Sequence, residues 1–120
     1  KKSICSIMMD QGYFPGVGNY IKSESLFASK IHPEEKWGKL SNESIIKLIK
    51  NTKHIMSASY QSGGAELKDF KNPFKKSNFK LKIYGQEYTS ANNLIVNKKT
   101  SDQRKSWICL KTQKLQNPNF

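Results

Sequence analysis

Two glycines, Gly16 and Gly18, lie in a breaker-rich stretch between two segments with helical spacing of apolar residues. Glycine permits backbone turns that other residues avoid, and it lets another molecule approach closely. Asn19 then opens the second helical segment. Because backbone N–H groups are unpaired at a helix N-terminus, such a turn suits an anion, most often a phosphate. The alternative is a plain helix–helix connector in which Asn19 caps the helix.

The charge of the chain favours the first interpretation. Its 120 residues carry a formal net charge of +12. A basic excess of this size favours a polyanionic partner, and together with the glycine turn it points to a nucleic acid. A merely soluble basic surface is the alternative. No apolar run is long enough to span a membrane, and no secretory signal is visible, so we expect reduced thiols in an intracellular protein.

The spacing of apolar residues predicts three helices, over residues 3–10, 19–29 and 42–61. Ser41 is the expected N-cap of the third helix and Gly63-Gly64 its stop. The apolar face of that helix is expected to consist of Ile45, Leu48, Ile49, Ile55 and Met56.

The pattern changes after residue 77. Phe79, Leu81 and Ile83 alternate with polar residues, which is strand spacing. Two further apolar runs, 94–96 and 107–110, flank a polar and basic tip at 97–105. We predict a small antiparallel β-hairpin unit, which packs on the helices because it would be marginal alone.

A set of ordered motifs resembles the helix–two-turns–helix segment of the formamidopyrimidine-DNA glycosylase/endonuclease VIII family: Asp10-Gln11, Tyr13 to Asn19, Glu24, Leu26 and Ile31-His32-Pro33. Later motifs are similar to the family's loop and finger: Gly63-Gly64, Asp69-Phe70, Tyr84-Gly85-Gln86, the run from Arg104 to Cys109, and Gln113-Lys114. The resemblance implies an α+β chain with a helix–two-turns–helix DNA-binding domain over residues 1–77 and a β-hairpin finger over 78–120.

The finger departs from the family's usual form, which binds zinc through two Cys-x-x-Cys pairs. Only Cys109 matches a ligand position, and Thr112 stands where its partner would be. One thiolate cannot hold a structural zinc that takes four ligands. The chain therefore resembles the zincless-finger branch, and no metal or other cofactor is expected. Cys109 is predicted to be an ordinary buried residue, and packing by Trp107, Ile95 and Leu110 is expected to hold the hairpin.

The resemblance also implies where catalysis resides. The family's nucleophile is an N-terminal proline amine followed by a glutamate, in a β-sandwich domain that precedes the segment seen here. This chain begins Lys1-Lys2, so we expect it to contain no catalytic residue and to be inactive alone. Glu34-Glu35 is expected to be a solvated face, and His32 and His54 are too isolated to propose as bases.

The expected function is DNA binding within a bifunctional DNA glycosylase and AP lyase of base excision repair. The parent enzyme would excise oxidised bases and nick the strand by β,δ-elimination. The expected partners are damaged or abasic DNA and the catalytic domain of the same protein, in a monomer located wherever the DNA is. Two alternatives stay open: an RNA-binding ribosomal protein of the S13 type, which shares the helix–two-turns–helix, and a non-catalytic DNA-binding module.

Two residues, Asn19 and Arg104, are expected to make the main contacts of the predicted interface. The resemblance places Asn19 on a phosphate beside the lesion, where Gly16 and Gly18 let the backbone approach. It places Arg104, the only arginine, on the phosphates around the extruded nucleotide, because a guanidinium can hold two phosphate oxygens at once. Lys22 is expected to add a charge, or else to be a solvated lysine. The other predicted DNA-binding residues are Gln11, Lys98, Lys99 and Lys105, and the loop at 62–77 resembles in position the family loop that covers the extruded base.

Overall fold

The computed structural model describes residues 2–61 and 81–115. Three α-helices occupy the first range: α1 (Ile4–Met8), α2 (Asn19–Ser29) and α3 (Asn42–Gln61). A two-stranded antiparallel sheet, β1 (Val96–Lys99) and β2 (Lys105–Ile108), occupies the second. The three predicted helices and the α+β class are confirmed. A 3₁₀ helix at Trp37–Lys39 was not predicted, and the predicted stop at Gly63-Gly64 and the loop at 62–77 lie outside the described residues.

Local hydrogen bonds set the helix ends. Ser3 caps α1, where its side chain accepts the Ser6 N–H. Ser41 does the same for α3, as predicted, since its Oγ accepts the Ser44 N–H at 3.1 Å. Lys30 ends α2 in the left-handed conformation, with φ of 59°, which is a common way for a helix to close.

The helices bury one apolar core, which α3 enters chiefly through Leu48, at 0% exposed. Ile49 is 36% exposed, so the predicted apolar face of α3 is only partly buried. Ile55 and Met56 pack on the core from its edge. The buried members of this core are Ile4, Cys5, Ile7, Met8, Val17, Ile21, Leu26, Ile31 and Leu48.

The finger region has a smaller apolar cluster. Ile83, Ile95 and Cys109 form it, and Phe27 of α2 and Trp107 pack against it. Cys109 is a buried free cysteine, as predicted. The expected packing by Trp107 and Ile95 is confirmed. The expectation for Leu110 is wrong, because this side chain is 48% exposed.

Residues 81–84 are not a strand, although Leu81 and Ile83 alternate with polar residues. The carboxylate of Glu24 explains the difference. It accepts the backbone N–H groups of Lys82, Ile83 and Tyr84 at distances of 2.8–3.0 Å. Three successive N–H groups that converge on one carboxylate form an anion-binding concavity, whereas side chains and amides alternate along a strand. Residue 79, the start of that predicted strand, lies outside the described residues.

The hairpin pairs in simple register, from Val96 opposite Ile108 to Lys99 opposite Lys105. The predicted tip at 97–105 is therefore shorter, because its first three residues belong to β1 and its last to β2. Ser106 and Ile108 are buried, and β2 packs against α2.

Gln113 fastens the end of the finger to the helical region. Its Oε1 accepts the Cys109 N–H at 2.8 Å, and its Nε2 donates to the Ile31 carbonyl at 3.0 Å. The side chain is almost wholly buried, so one amide bridges the two regions.

Among the helices of the described residues, none combines the length and apolar character needed to cross a membrane.

Candidate nucleic-acid interface

The α1–α2 turn, residues 10–18, is braced by one of its own side chains. Gln11 Oε1 accepts the Gly16 N–H at 2.8 Å, and Gln11 Nε2 donates to the Val17 carbonyl at 3.1 Å. Gln11 was predicted to contact DNA. The structure engages both ends of its amide inside the turn, so Gln11 shapes the turn, and its contact with DNA stays a prediction.

The two glycines of this turn differ in what they require. Gly16 has φ of 83°, in the left-handed region that favours glycine. Gly18 is extended, and a Cβ added to it would meet nothing within 4 Å. Its neighbours therefore leave the space in front of Gly18 open. No side chain caps α2, so the open space adjoins the uncapped first turn of that helix.

The finger tip, residues 100–104, is a tight turn flanked by the basic residues of the hairpin. The Thr100 N–H donates to the Arg104 carbonyl at 3.0 Å, and Gln103 has φ of 66°. Arg104 is exposed, as are the other predicted basic residues of the hairpin, Lys98, Lys99 and Lys105.

Asn19 joins the α1–α2 turn to the finger. Its Nδ2 donates to the Lys105 carbonyl at 2.9 Å, and Lys105 follows Arg104 directly in the chain. The Asn19 Oδ1 is buried without a hydrogen-bond partner. The structure thus brings Asn19 to the backbone of the residue that follows Arg104. It also gives Asn19 a contact within the chain that the sequence did not indicate.

Lys22 is a correction to both expectations for it. The side chain is fully buried, and its Nζ lies 2.6 Å from Asp102 Oδ2. It is therefore neither a solvated lysine nor a charge presented to a phosphate. Its ammonium also lies 3.5 Å from the Lys105 carbonyl. Lys22 therefore contacts the finger tip from within the protein.

Two titratable groups in this region have shifted pKa values. Burial alone raises the pKa of Asp102, but hydrogen bonds from Lys22 and Thr100 and the charge of Lys22 outweigh it, so the pKa is lowered. Burial and then the positive charge of Lys98 lower the pKa of His32, against the opposing effect of Glu34 and Glu35. Asp102 is therefore a carboxylate at neutral pH, and His32 is a neutral imidazole.

The expectation of a solvated Glu34-Glu35 face is wrong. Glu35 is 3% exposed, and its carbonyl accepts the Ile4 N–H at 2.7 Å. Glu34 accepts both the N–H and the hydroxyl of Ser101, at 3.1 and 2.6 Å. A second side chain from the helical region, the Glu34 carboxylate, therefore contacts the finger tip.

A zinc ion does not fit the residues of the finger. The buried Cys109 is one thiol, and its carbonyl accepts the N–H groups of Thr112 and Gln113 at 3.1 and 2.8 Å. Within residues 2–61 and 81–115, no group of three or more His, Cys, Asp or Glu side chains is arranged to hold a metal ion. Hydrogen bonds from Thr112 and Gln113 therefore close the turn at Cys109.

Sequence reasoning missed several of the residues that join the two regions: Lys22 as a buried partner, Asp102, Glu34 and Ser101. One signal was available, since Asp102 is the single acidic residue in the basic segment 97–105. Its partner is 80 positions away, and nothing in the sequence pairs the two.

Comparison with known proteins identifies the helical part. The family described as "Formamidopyrimidine-DNA glycosylase H2TH domain" matches residues 1–71. The formamidopyrimidine-DNA glycosylase of Shewanella sp. (strain W3-18-1) is 39% identical over 101 residues, which cover 79% of this chain and 37% of the relative. The chain thus spans well under half the length of that relative.

Solved structures match the finger as well as the helices. MutM in complex with DNA containing carbocyclic 8-oxo-G matches with a TM-score of 0.82 and 27% identity, over 94% of this chain and 42% of that chain. A complex of the Lactococcus lactis Fpg with DNA containing an abasic site matches with a TM-score of 0.81 and 27% identity, over the same shares. Because the match extends beyond the helix–two-turns–helix, it disfavours the ribosomal alternative.

Proposed function

Because this chain belongs to the formamidopyrimidine-DNA glycosylase family, we propose that it is the damaged-DNA-binding part of a DNA glycosylase of base excision repair. One observation carries the proposal: the Asn19 side chain reaches the backbone of the finger beside Arg104. This contact supports an arrangement in which the loop suited to an anion and the exposed Arg104 guanidinium face the same strand. Its solved relatives bound to 8-oxo-G or abasic-site DNA support this partner.

Each part of the interface has its own task. The uncapped N-terminus of α2 offers backbone N–H groups and the positive end of the helix dipole to a phosphate. The open space at Gly18 lets a strand approach this turn. Asn19 Nδ2 has a second hydrogen to donate beyond the one that bonds to the Lys105 carbonyl. Arg104 adds a planar fork that matches two phosphate oxygens.

The arrangement suits an enzyme that extrudes a nucleotide. Turning a base out of the stack costs a few kcal/mol. Two contacts on one strand, from the turn and the finger tip, would hold the backbone bent and lower that cost. The exposed Lys98, Lys99 and Lys105 would add sequence-independent attraction to the duplex.

The chemistry itself is proposed to belong to the rest of the enzyme. As the family resemblance implies, a proline amine and a glutamate in a separate β-sandwich domain would cleave the glycosidic bond and then the strand. This chain, a helix–two-turns–helix with a zincless finger, would bind the DNA and hold its backbone in position. It would do so in whichever compartment holds the DNA. The division at residues 77 and 78 is part of this proposal.

Binding to a defined duplex tests the proposal. The probe is a duplex with one tetrahydrofuran abasic site, measured by fluorescence anisotropy over a range of salt concentrations. We expect Arg104→Ala to weaken binding about tenfold and to lower the salt slope by about one. Lys50→Ala, which removes an exposed charge from α3, is the matched control and should have a smaller effect. Equal affinity of wild type and Arg104→Ala, or preference for an RNA hairpin, would overturn the proposal.

A further inference from the structure

An ion pair is buried directly behind the finger tip. Lys22 Nζ and Asp102 Oδ2 are 2.6 Å apart, and the two side chains are 0% and 1% exposed. Removing two charges from water is costly, so a buried ion pair is a weak source of stability unless its geometry is favourable. This pair joins α2 to the tip of a hairpin, a location where a hydrophobic contact would serve stability equally well. Its position calls for an explanation other than stability.

The second oxygen of Asp102 organises the finger tip. Asp102 Oδ1 accepts the Thr100 hydroxyl at 2.6 Å and the Arg104 N–H at 3.3 Å. The Thr100 hydroxyl also lies 2.7 Å from Ser106 Oγ, which is buried. One carboxylate therefore contacts both ends of the tip, and Lys22 fixes that carboxylate against α2.

We propose that Lys22 and Asp102 are positioning residues for the phosphate contact of Arg104. The pair holds the finger tip on α2 in the orientation that presents the guanidinium beside the α1–α2 turn. This inference rests on the proposed function, since it assigns Arg104 to DNA. It deepens that function by naming two side chains that never touch the nucleic acid.

The sign of the charge effect makes the proposal testable. An aspartate close to bound phosphates repels them, so replacing it with a neutral residue should strengthen binding if only charge matters. If Asp102 positions Arg104, the same replacement weakens binding although the chain becomes more positive. A purely electrostatic role predicts the opposite direction.

The first experiment measures Asp102→Asn in the full chain, on the tetrahydrofuran duplex at several salt concentrations. We expect about a tenfold loss of affinity and a salt slope lower by about one, as for Arg104→Ala. Glu87→Gln is the matched control, because Glu87 is an exposed carboxylate of the finger region. It removes the same charge and should bind as tightly as wild type or more tightly.

A second set of variants separates positioning from folding. In Lys22→Met/Asp102→Asn no buried charge lacks a partner and the net charge equals that of wild type, yet we expect the same tenfold loss. In the Arg104→Ala background, Asp102→Asn should have no further effect. Should Asp102→Asn alone fail to fold by circular dichroism, the double variant supplies the same comparison.

The outcomes distinguish the two proposals. If Arg104→Ala weakens binding while Asp102→Asn and the double variant match wild type, the positioning role is wrong and the proposed function stands. If Arg104→Ala leaves binding unchanged, the assignment of the finger to DNA fails as well.

Discussion

Within residues 2–61, the helical region builds its core from nine buried apolar side chains on α1, α2, α3 and the connecting segments. The finger region buries Ile83, Ile95 and Cys109 in a smaller cluster, against which Phe27 of α2 packs. The finger is held instead by polar side chains that reach between the two regions, namely Glu24, Glu34, Lys22 and Gln113. Apolar burial therefore fixes the first region, whereas directional hydrogen bonds fix the second.

This difference has a functional meaning. Apolar packing is non-directional and tolerates similar shapes, while a hydrogen bond or ion pair specifies where one atom lies relative to another. The finger carries Arg104, whose contact with a phosphate depends on orientation. Changes to the polar contacts should therefore disturb the finger and leave the helical core intact.

The largest expected effect comes from Glu24→Gln. The amide keeps the shape of the carboxylate but turns one acceptor into a donor that faces backbone N–H groups. We expect a loss of about 1–3 kcal/mol in the free energy that holds the finger closed. Amide hydrogen exchange should show faster exchange at residues 82–84 and in the hairpin, with α3 unchanged.

Glu43→Gln is the control for that experiment, because Glu43 is an exposed carboxylate in the first turn of α3. It should change stability by no more than about 0.5 kcal/mol. Equal loss of protection in α3 and in the finger under Glu24→Gln would contradict the contrast between the two regions.

A smaller effect is expected from acid. The pKa of Asp102 is lowered in the folded chain because contacts with Lys22 and Thr100 outweigh burial. A lowered carboxyl pKa contributes stability above the unfolded pKa of about 3.9, and this stability is lost as the pH falls through the folded pKa. The difference in unfolding free energy between wild type and Asp102→Asn should therefore be constant from about pH 5 to 7 and shrink below about pH 4.

Urea unfolding at a series of pH values measures that difference. His32 also has a lowered pKa, but it titrates in both proteins and contributes equally to each. If the difference in unfolding free energy between wild type and Asp102→Asn grows toward low pH, the folded chain does not stabilise the Asp102 carboxylate.

The helices could be predicted because their signals are local. Ser41 lies next to the helix it caps, and Leu48 repeats with its apolar neighbours at helical spacing. The Gly16 turn and the exposed Arg104 were likewise predictable, since a left-handed turn and a basic hairpin tip each involve adjacent residues. The DNA-binding roles of Asn19 and Arg104 stay predictions.

The polar contacts between the helical region and the finger could not be predicted. The alternation at 79–84 indicated a strand, but Glu24 lies 58–60 positions from its three N–H donors and redirects them. Lys22 looked like a surface charge because helical spacing alone did not show what covers it. Long-range polar contacts leave no periodic pattern, so they appear only in the folded chain.

The most direct test of a single interface is a methylphosphonate scan of the abasic-site duplex, in which each phosphate in turn is made neutral. We expect wild type to lose affinity at a few phosphates on one strand beside the abasic site. Asn19→Ala should abolish the sensitivity at one of them, and Arg104→Ala should abolish it at a near neighbour on the same strand. If the two variants change the response at phosphates on different strands, or at distant phosphates, the α1–α2 turn and the finger tip do not bind one strand together.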